Sequence, residues 1–484
     1  MSAVGFVRTS VRLAACGVWL LAGCSTWTLP GAAARPAWEL PPPAVSEAPV
    51  VKPGSLQRAR LDNGLEILVL EDHRLPLVSL GLSFRRGEAM LAPEDAGLAS
   101  FTAELLERGA GGRDANEFAE YVDEVGASFG GAAGWDSLSV GVSGLSRDLD
   151  RLFEVLADGT LRPHFETAEA ERARAERLAA LERAKDDPAT LAGWYTAQAL
   201  YAGHRYGTPL SGDAESVARL DAARARGLHE RVFVPNDAIF YASGDVTASD
   251  IIARVRAHFG AWPPGEPAPT GAAPPARTPE QRRILIVDRP DLGQARIAVA
   301  HEGLSRTDED RLAASLMNLV VGGSGFSSRL MTSLRSEQGL TYGVYSGYRL
   351  RREPGPFVVS TFTRVPEVRR ALDLLLGELE RGVQEPPSED ELVWARSLAT
   401  GRFSMGLETS SAVMNGLVDL EIYDLPRDSL DTYRSRIRAL SEAESARAAR
   451  LYLHPERVVI VLVGPAEALR PQVEDLGPVE IVVP

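Results

Sequence analysis

The chain has 484 residues, 45% hydrophobic and 24% charged, enough apolar material to bury the cores of two to four domains without disulfides or a structural metal. Acidic residues outnumber basic ones 66 to 52, and the resulting formal charge of -14 argues against a nucleic-acid partner, whose phosphates need a basic face. Both cysteines, Cys16 and Cys24, lie near the N-terminus, so the body can form neither an internal disulfide nor a thiolate metal cluster.

Residues 1–24 read as an export signal. Arg8 and Arg12 supply the positive start, and Leu13 to Ala22 an apolar run of about ten residues, too short for a bilayer that takes about 20. The run ends in Leu21-Ala22-Gly23-Cys24, which resembles a bacterial lipobox. That resemblance implies cleavage before Cys24, lipidation of its thiol and membrane anchoring at the cell envelope. Ser25 follows, which points to the outer membrane if the source has two. Residues 25–56, rich in Pro and Ala, cannot pack a core and read as a tether.

The first half spans 57–261. Asp62-Asn63-Gly64 is a turn between alternating apolar residues, and Leu65 to Leu70 and Leu77 to Phe84 are expected strands. Helices are expected at Gly97 to Leu106, 114–125, 147–157 and 166–185, the last ended by Asp186-Asp187-Pro188. Ala238 to Ser243 is a strand running into Gly244-Asp245, followed by a helix at 249–259. Residues 262–281 are Pro-rich and read as an interdomain linker, which makes hinge motion plausible.

The second half, 282–484, repeats the plan. Strands are expected at Arg283 to Val287, Gln294 to His301, Val358 to Phe362 and Arg457 to Val463; helices at Asp308 to Val320, Val365 to Gly382 and Ser388 to Arg402. The strand–Gly ending at Gly464 parallels that at Gly244. Two similar halves of about 200 residues indicate a duplicated α+β unit.

Within the second half, Gly322-Gly323-Ser324-Gly325-Phe326-Ser327-Ser328-Arg329-Leu330 precedes Leu334-Arg335-Ser336-Glu337-Gln338-Gly339-Leu340-Thr341-Tyr342, with Ser346 beyond. Phe326 to Ser336 reads as a helix, Gly339 as its C-cap, and Tyr342 as the start of a strand, so Arg335 and Tyr342 can converge across a tight corner. This stretch resembles the second-half signature of the pitrilysin/insulinase family of zinc peptidases, which includes the mitochondrial processing peptidase. Tyr206-Gly207-Thr208-Pro209 with Gly212, and Pro235-Asn236 before Gly244-Asp245, extend the resemblance over roughly residues 57–470. It implies two homologous halves, each a mostly antiparallel sheet with helices on one face. It also implies that Arg335 and Tyr342 hold the substrate backbone and steady a developing oxyanion. Gly322, Gly323 and Gly325 would line the substrate chamber.

Active family members carry H-x-x-E-H on the first long helix of the first half, two zinc ligands flanking a general base, with a Glu further on as third ligand. The matching helix here is Gly97-Leu98-Ala99-Ser100-Phe101-Thr102-Ala103-Glu104. Ser100 and Glu104 stand at the two His positions and Ala103 at the base position. The third-ligand position falls on Arg183, or on Glu182 if shifted by one, and a Glu104–Arg183 pair is expected where the metal would be. A serine hydroxyl ligates zinc poorly, alanine takes no proton, and Arg repels a cation. The seven His (73, 164, 204, 229, 258, 301 and 454) include no two within five residues. No zinc and no hydrolysis are therefore expected of this chain alone.

The family often works as two chains, one bearing zinc and the other the Arg/Tyr pair. The expected role is the non-catalytic, substrate-binding subunit of such a heterodimer, with zinc on the homologous partner and an extended peptide as substrate. The competing expectation is a lipid-anchored scaffold or peptide-binding protein with no protease partner; a neighbouring gene encoding H-x-x-E-H would favour the pair. A third reading, a protease with displaced ligands, predicts stoichiometric bound metal.

Overall fold

A computed structural model describes residues 48–269 and 279–484. The export signal, Cys24, most of the tether and the middle of the linker lie outside the described residues.

Short apolar runs, continuous in the central strands, build two six-stranded sheets. The first contains β1 (Leu56–Arg60), β2 (Glu66–Glu71), β3 (Leu77–Phe84), β4 (Ser128–Ala133), β5 (Leu138–Leu145) and β6 (Ala238–Gly244), in the spatial order β1-β2-β6-β3-β5-β4. The second contains β7 (Arg283–Asp288), β8 (Gln294–Glu302), β9 (Tyr345–Tyr348), β10 (Pro356–Arg364), β11 (Val459–Gly464) and β12 (Val479–Val482), in the order β12-β7-β11-β8-β10-β9. Five strands correspond one to one, β2 to β6 with β7 to β11, each set with one parallel pair and otherwise antiparallel ladders. The duplication expected from sequence is thus present strand for strand. The sheets differ at one edge, where β1 adds antiparallel to β2 and β12 adds parallel to β7.

Each sheet buries both faces. Ile67, Val69, Phe240 and Ala242 face the first half's own helices, while their neighbours Leu68, Leu70 and Ile239 face the helix Ser410–Ile422, which comes from the second half. Conversely, Ile460 and Leu462 face the second half's helices, while Val459, Val461 and Val463 face the helix Pro188–Leu200 of the first half. The period-2 alternation of side chains creates the two apolar faces, and each half lends one helix to cover its neighbour's second face. Each fully buried Leu or Val in these layers contributes about 1.5–3 kcal/mol. The expectation of helices on one face is therefore true of each half's own helices only.

Several boundaries move. The end of the predicted tether belongs to the body: Leu56 opens β1 opposite Leu70, and Val50 and Val51 pack beside the helix Ser410–Ile422. The start of the predicted linker is docked as well. Trp262 packs on the first core, and the Asn236 side chain exchanges hydrogen bonds of 2.9 and 3.0 Å with Gly265. With helices exchanged between halves, the linker is not the only connection and does not act as a free hinge. Among the described residues no helix is long and apolar enough to cross a membrane.

Candidate functional site

The helix Leu98–Leu105 begins at Gly97, whose φ of +88° is open to glycine and whose α-carbon approaches the 209–212 loop so closely that a Cβ would lie 2.4 Å from the Ser211 carbonyl. A buried carboxylate fixes this start. Glu88 accepts the backbone N–H of Ser100 at 2.9 Å and of Gly97 at 3.2 Å, where the positive end of the helix dipole favours an anion. Arg205 neutralises it at 2.8 Å and also donates to the carbonyls of Thr208 and Leu210, so Tyr206 to Pro209 and the helix are clamped together. Glu88 and Arg205 are both fully buried.

The next turn carries Ser100, Ala103 and Glu104. Facing them is Arg177, on the helix Thr167–Ala184. Its Nη1 donates to Ser100 Oγ at 3.0 Å and its Nε to Glu104 Oε2 at 2.8 Å. The Phe101 ring lies 5.4 Å from the same guanidinium. Arg108 completes the cluster, donating to the other Glu104 oxygen at 2.7 Å and to Glu176 at 2.8 Å. One turn on, Glu107 accepts from Gly131 N–H of β4 at 3.0 Å, and burial raises its carboxyl above the ordinary range. Ala103 packs its carbonyl against β4 at Gly131, where a Cβ would come within 2.4 Å.

The expected Glu104–Arg183 pair is corrected: Glu104 pairs with Arg177 and Arg108. Arg183 and Glu182 are exposed, and Glu182 pairs with Lys185. The reason is helical phase. Buried Ala170, Ala173 and Leu181 define the inward stripe, and Arg177 falls on that stripe while Arg183 does not. This spacing was available in the sequence. Zinc does not fit this arrangement: a permanent cation already bridges the two positions where family members place histidine, and it engages the side-chain oxygens of both. Among the described residues no cluster of three or more His, Cys, Asp or Glu is placed to hold a metal.

The second candidate region is the corner after β8. The expected helix at Phe326 to Ser336 is shorter: it starts at the N-cap Ser328, runs through Arg329–Met331 and widens into a π-helical turn at Thr332–Glu337. Leu334 is buried and anchors it; Gly339, at φ +60°, ends it, with Gly339 N–H on the Arg335 carbonyl at 3.0 Å and Leu340 N–H on the Leu334 carbonyl at 2.9 Å. Tyr342 does not start the strand. β9 begins at Tyr345, because Thr361 and Thr363 of β10 use their hydroxyls to hold the carbonyls of Gly343 and Leu340, leaving 340–343 as a tight irregular link.

That link brings Arg335 and Tyr342 together as expected. Arg335 Nη1 donates to the Tyr342 carbonyl at 2.6 Å, and its guanidinium lies 4.4 Å from the Tyr342 ring centroid and 4.5 Å from that of Phe326. Tyr342 is 75% exposed and Phe326 68%. Among the described residues no carboxylate pairs with Arg335. Phe326 was missed from sequence; its place between the glycines and Ser328 was the available signal. Of the glycines, Gly322 is buried, and a Cβ there would stand 2.4 Å from Ser346 Oγ; Gly323 abuts Asn318; Gly325, at φ +83°, is the one with open space around its α-carbon. Asn318 and Ser346 bond each other twice, fixing the Gly-rich turn to β9. Close packing is thus the observed use of Gly322 and Gly323.

Two duplicated α+β halves, one with a metal helix whose ligands are replaced and one with an exposed Arg/Tyr corner, define a metallopeptidase-like body. Residues 66–214 match the family model for insulinase (peptidase family M16), and residues 219–398 match that for the peptidase M16 inactive domain. The chain belongs to this insulinase, or pitrilysin, family and lacks its zinc-binding motif. It is 26% identical over 418 residues to an uncharacterized zinc protease of Streptomyces coelicolor, covering 85% of this chain and 90% of that one. It is 22% identical over 378 residues to a non-peptidase homolog of Helicobacter pylori, covering 78% and 87%. The solved peptidase M16 inactive domain from Pseudomonas fluorescens superposes with a TM-score of 0.78 at 27% identity, covering 85% of this chain and 98% of that one.

Proposed function

We propose that this protein is the non-catalytic, substrate-binding subunit of a heterodimeric zinc metallopeptidase that cleaves extended peptides at the cell envelope, where a lipid on Cys24 anchors it. One observation carries the reading: the two regions have diverged in opposite directions. Arg177 fills the place of the metal and is tied to Ser100 and Glu104, whereas Tyr342 stands exposed and the half-buried Arg335 beside it has no carboxylate partner among the described residues. Arg335 offers its remaining N–H groups and Tyr342 its O–H to a peptide carbonyl, and the flanking rings of Phe326 and Tyr342 hold the guanidinium in place before substrate arrives. Zinc, its bound water and the general base belong in this scheme to a homologous partner bearing H-x-x-E-H. The non-peptidase relative of Helicobacter pylori supports the absence of chemistry on the chain itself.

The test is reconstitution. Purified residues 26–484 are assayed for peptide cleavage and zinc, alone and with the H-x-x-E-H protein encoded nearby. Cleavage is expected only in the mixture, with zinc on the partner. Arg335→Ala combined with Tyr342→Phe is expected to lower the rate at least about tenfold. Chelator-sensitive cleavage by this chain alone, or an unchanged rate in the double variant, overturns the proposal.

A further inference from the structure

A separate cavity of about 470 Å³ lies in the second half, among the helices Arg311–Asn318, Glu389–Met405 and Ser429–Ala439. Its interior is apolar: Leu316, Leu420 and Ile437 are buried there, and Phe403 stacks on Tyr433 at 4.2 Å between centroids. Its rim is basic, formed by Arg306, Arg311, Arg402 and Arg436. Such a concentration of one sign is unexpected in a chain of net charge -14.

These guanidiniums are poorly compensated. Arg306 pairs with Asp419, yet its Nε is buried without a partner. Arg311 donates Nη1 to the Asp308 carbonyl at 3.1 Å, and its charged form is disfavoured by burial first and then by Arg436 and Arg306. Among the described residues no carboxylate forms an ion pair with Arg311 or Arg436. Arg402 points to the carbonyls of Gly323 and Ser324. Ser429 Oγ, also lining the cavity, is buried without a partner. Arg306 and Arg311 are half-buried while Arg402 and Arg436 are exposed, so water screens their mutual repulsion only in part, and one anion among them reverses the sign of every such interaction.

We propose that this cavity binds a small amphipathic anion, an apolar chain ending in a carboxylate or phosphate head. Arg311 and Arg436 grip the head, with the spare donors of Arg306 and Ser429 beside them, and the cavity of Leu316, Leu420, Phe403 and Tyr433 takes the chain. Charge selects the anion and the apolar lining selects the apolar body, so neither inorganic phosphate nor a neutral alcohol satisfies both.

Calorimetric titration of the full chain with decanoate, decyl phosphate, decanol and inorganic phosphate tests this. One of the two amphipathic anions is expected to bind one to one, at least about tenfold more tightly than decanol and inorganic phosphate, and the stronger of the two identifies the head group. Arg311→Gln with Arg436→Gln is expected to weaken that binding at least about tenfold. Arg436 is exposed, so Arg436→Gln alone leaves the core intact and serves if the double variant fails to fold; it is expected to weaken binding and to raise the melting temperature of the ligand-free chain. Decanol binding as well as the anions, undiminished binding by the Arg436→Gln variant, or no saturable binding of either anion each overturns the assignment.

Discussion

Arg177 and Arg335 sit in equivalent surroundings, each on a helix beside an aromatic ring, and their fates differ. Arg177 is half-buried, spans a carboxylate and a hydroxyl, and closes the place it occupies. Arg335 is half-buried too, but it lies between two exposed rings and uses one N–H on the neighbouring backbone. A cation with an internal carboxylate is a structural tie; a cation held by rings and a carbonyl keeps its charge available for an incoming oxygen. Family resemblance alone does not separate these cases, whereas the inventory of partners does.

The comparison breaks most visibly if the first region can be reopened. Ser100→His, Ala103→Glu and Glu104→His together are expected to take up no zinc while Arg177 remains, and to take up zinc once Arg177→Glu is added. Equilibrium dialysis followed by metal analysis reads the difference; uptake with Arg177 in place would show that this arginine does not block the metal.

Support beneath the first helix comes next. Glu88→Gln leaves Arg205 buried without its counter-charge and is expected to lower stability by about 3–5 kcal/mol in urea unfolding. Replacing both, Glu88→Leu with Arg205→Met, is expected to cost less than the single change, because no uncompensated charge remains.

The second half carries an acid-sensitive group of its own on β8. His301 is buried against Phe357 and is pushed from 6.5 down to about 4 by burial. Between those values the unfolded chain binds a proton that the folded chain refuses, so stability falls as pH falls from 6.5 to 4, by up to about 3 kcal/mol. Urea midpoints measured across that range should drop, and His301→Asn should lessen the slope, the remainder coming from His204, His229 and His454, which burial also shifts down.

The smallest effect sharpens the contrast. Arg335→Ala with Tyr342→Phe is expected to change stability by less than about 0.5 kcal/mol, since neither side chain supports the core. A large loss would make the corner structural.

The corner was the most legible part of the sequence, because a helix end, a Gly C-cap and a tyrosine within a few residues leave little conformational choice. The strand-for-strand duplication is partly legible: β2, β3, β6, β7, β8, β10 and β11 announce themselves as short apolar-rich runs, whereas β4 and β5, interrupted by Gly130, Gly131, Gly141 and Gly144, do not. The role expected of Arg183 falls to Arg177 because the inward stripe of Ala170, Ala173 and Leu181, not motif spacing, decides which side chain reaches Glu104. Tyr342 lies outside the strand expected of it because side-chain hydroxyls, here those of Thr361 and Thr363, replace a ladder without leaving a pattern in the sequence. The helices Pro188–Leu200 and Ser410–Ile422 carry no clear signature in the sequence. Each is wedged between its own half and the other's sheet, so apolar residues spread around it and blur the one-sided stripe.

Those two lent helices set a timetable for biosynthesis. The outer face of the first sheet, with Leu68, Leu70 and Ile239, stays bare until Val413 to Ile422, far downstream in the second half, have been made and delivered. A newly made first half therefore presents an apolar surface and must be shielded, and residues 57–261 expressed alone should aggregate while recovering solubility when 282–484 is supplied in trans.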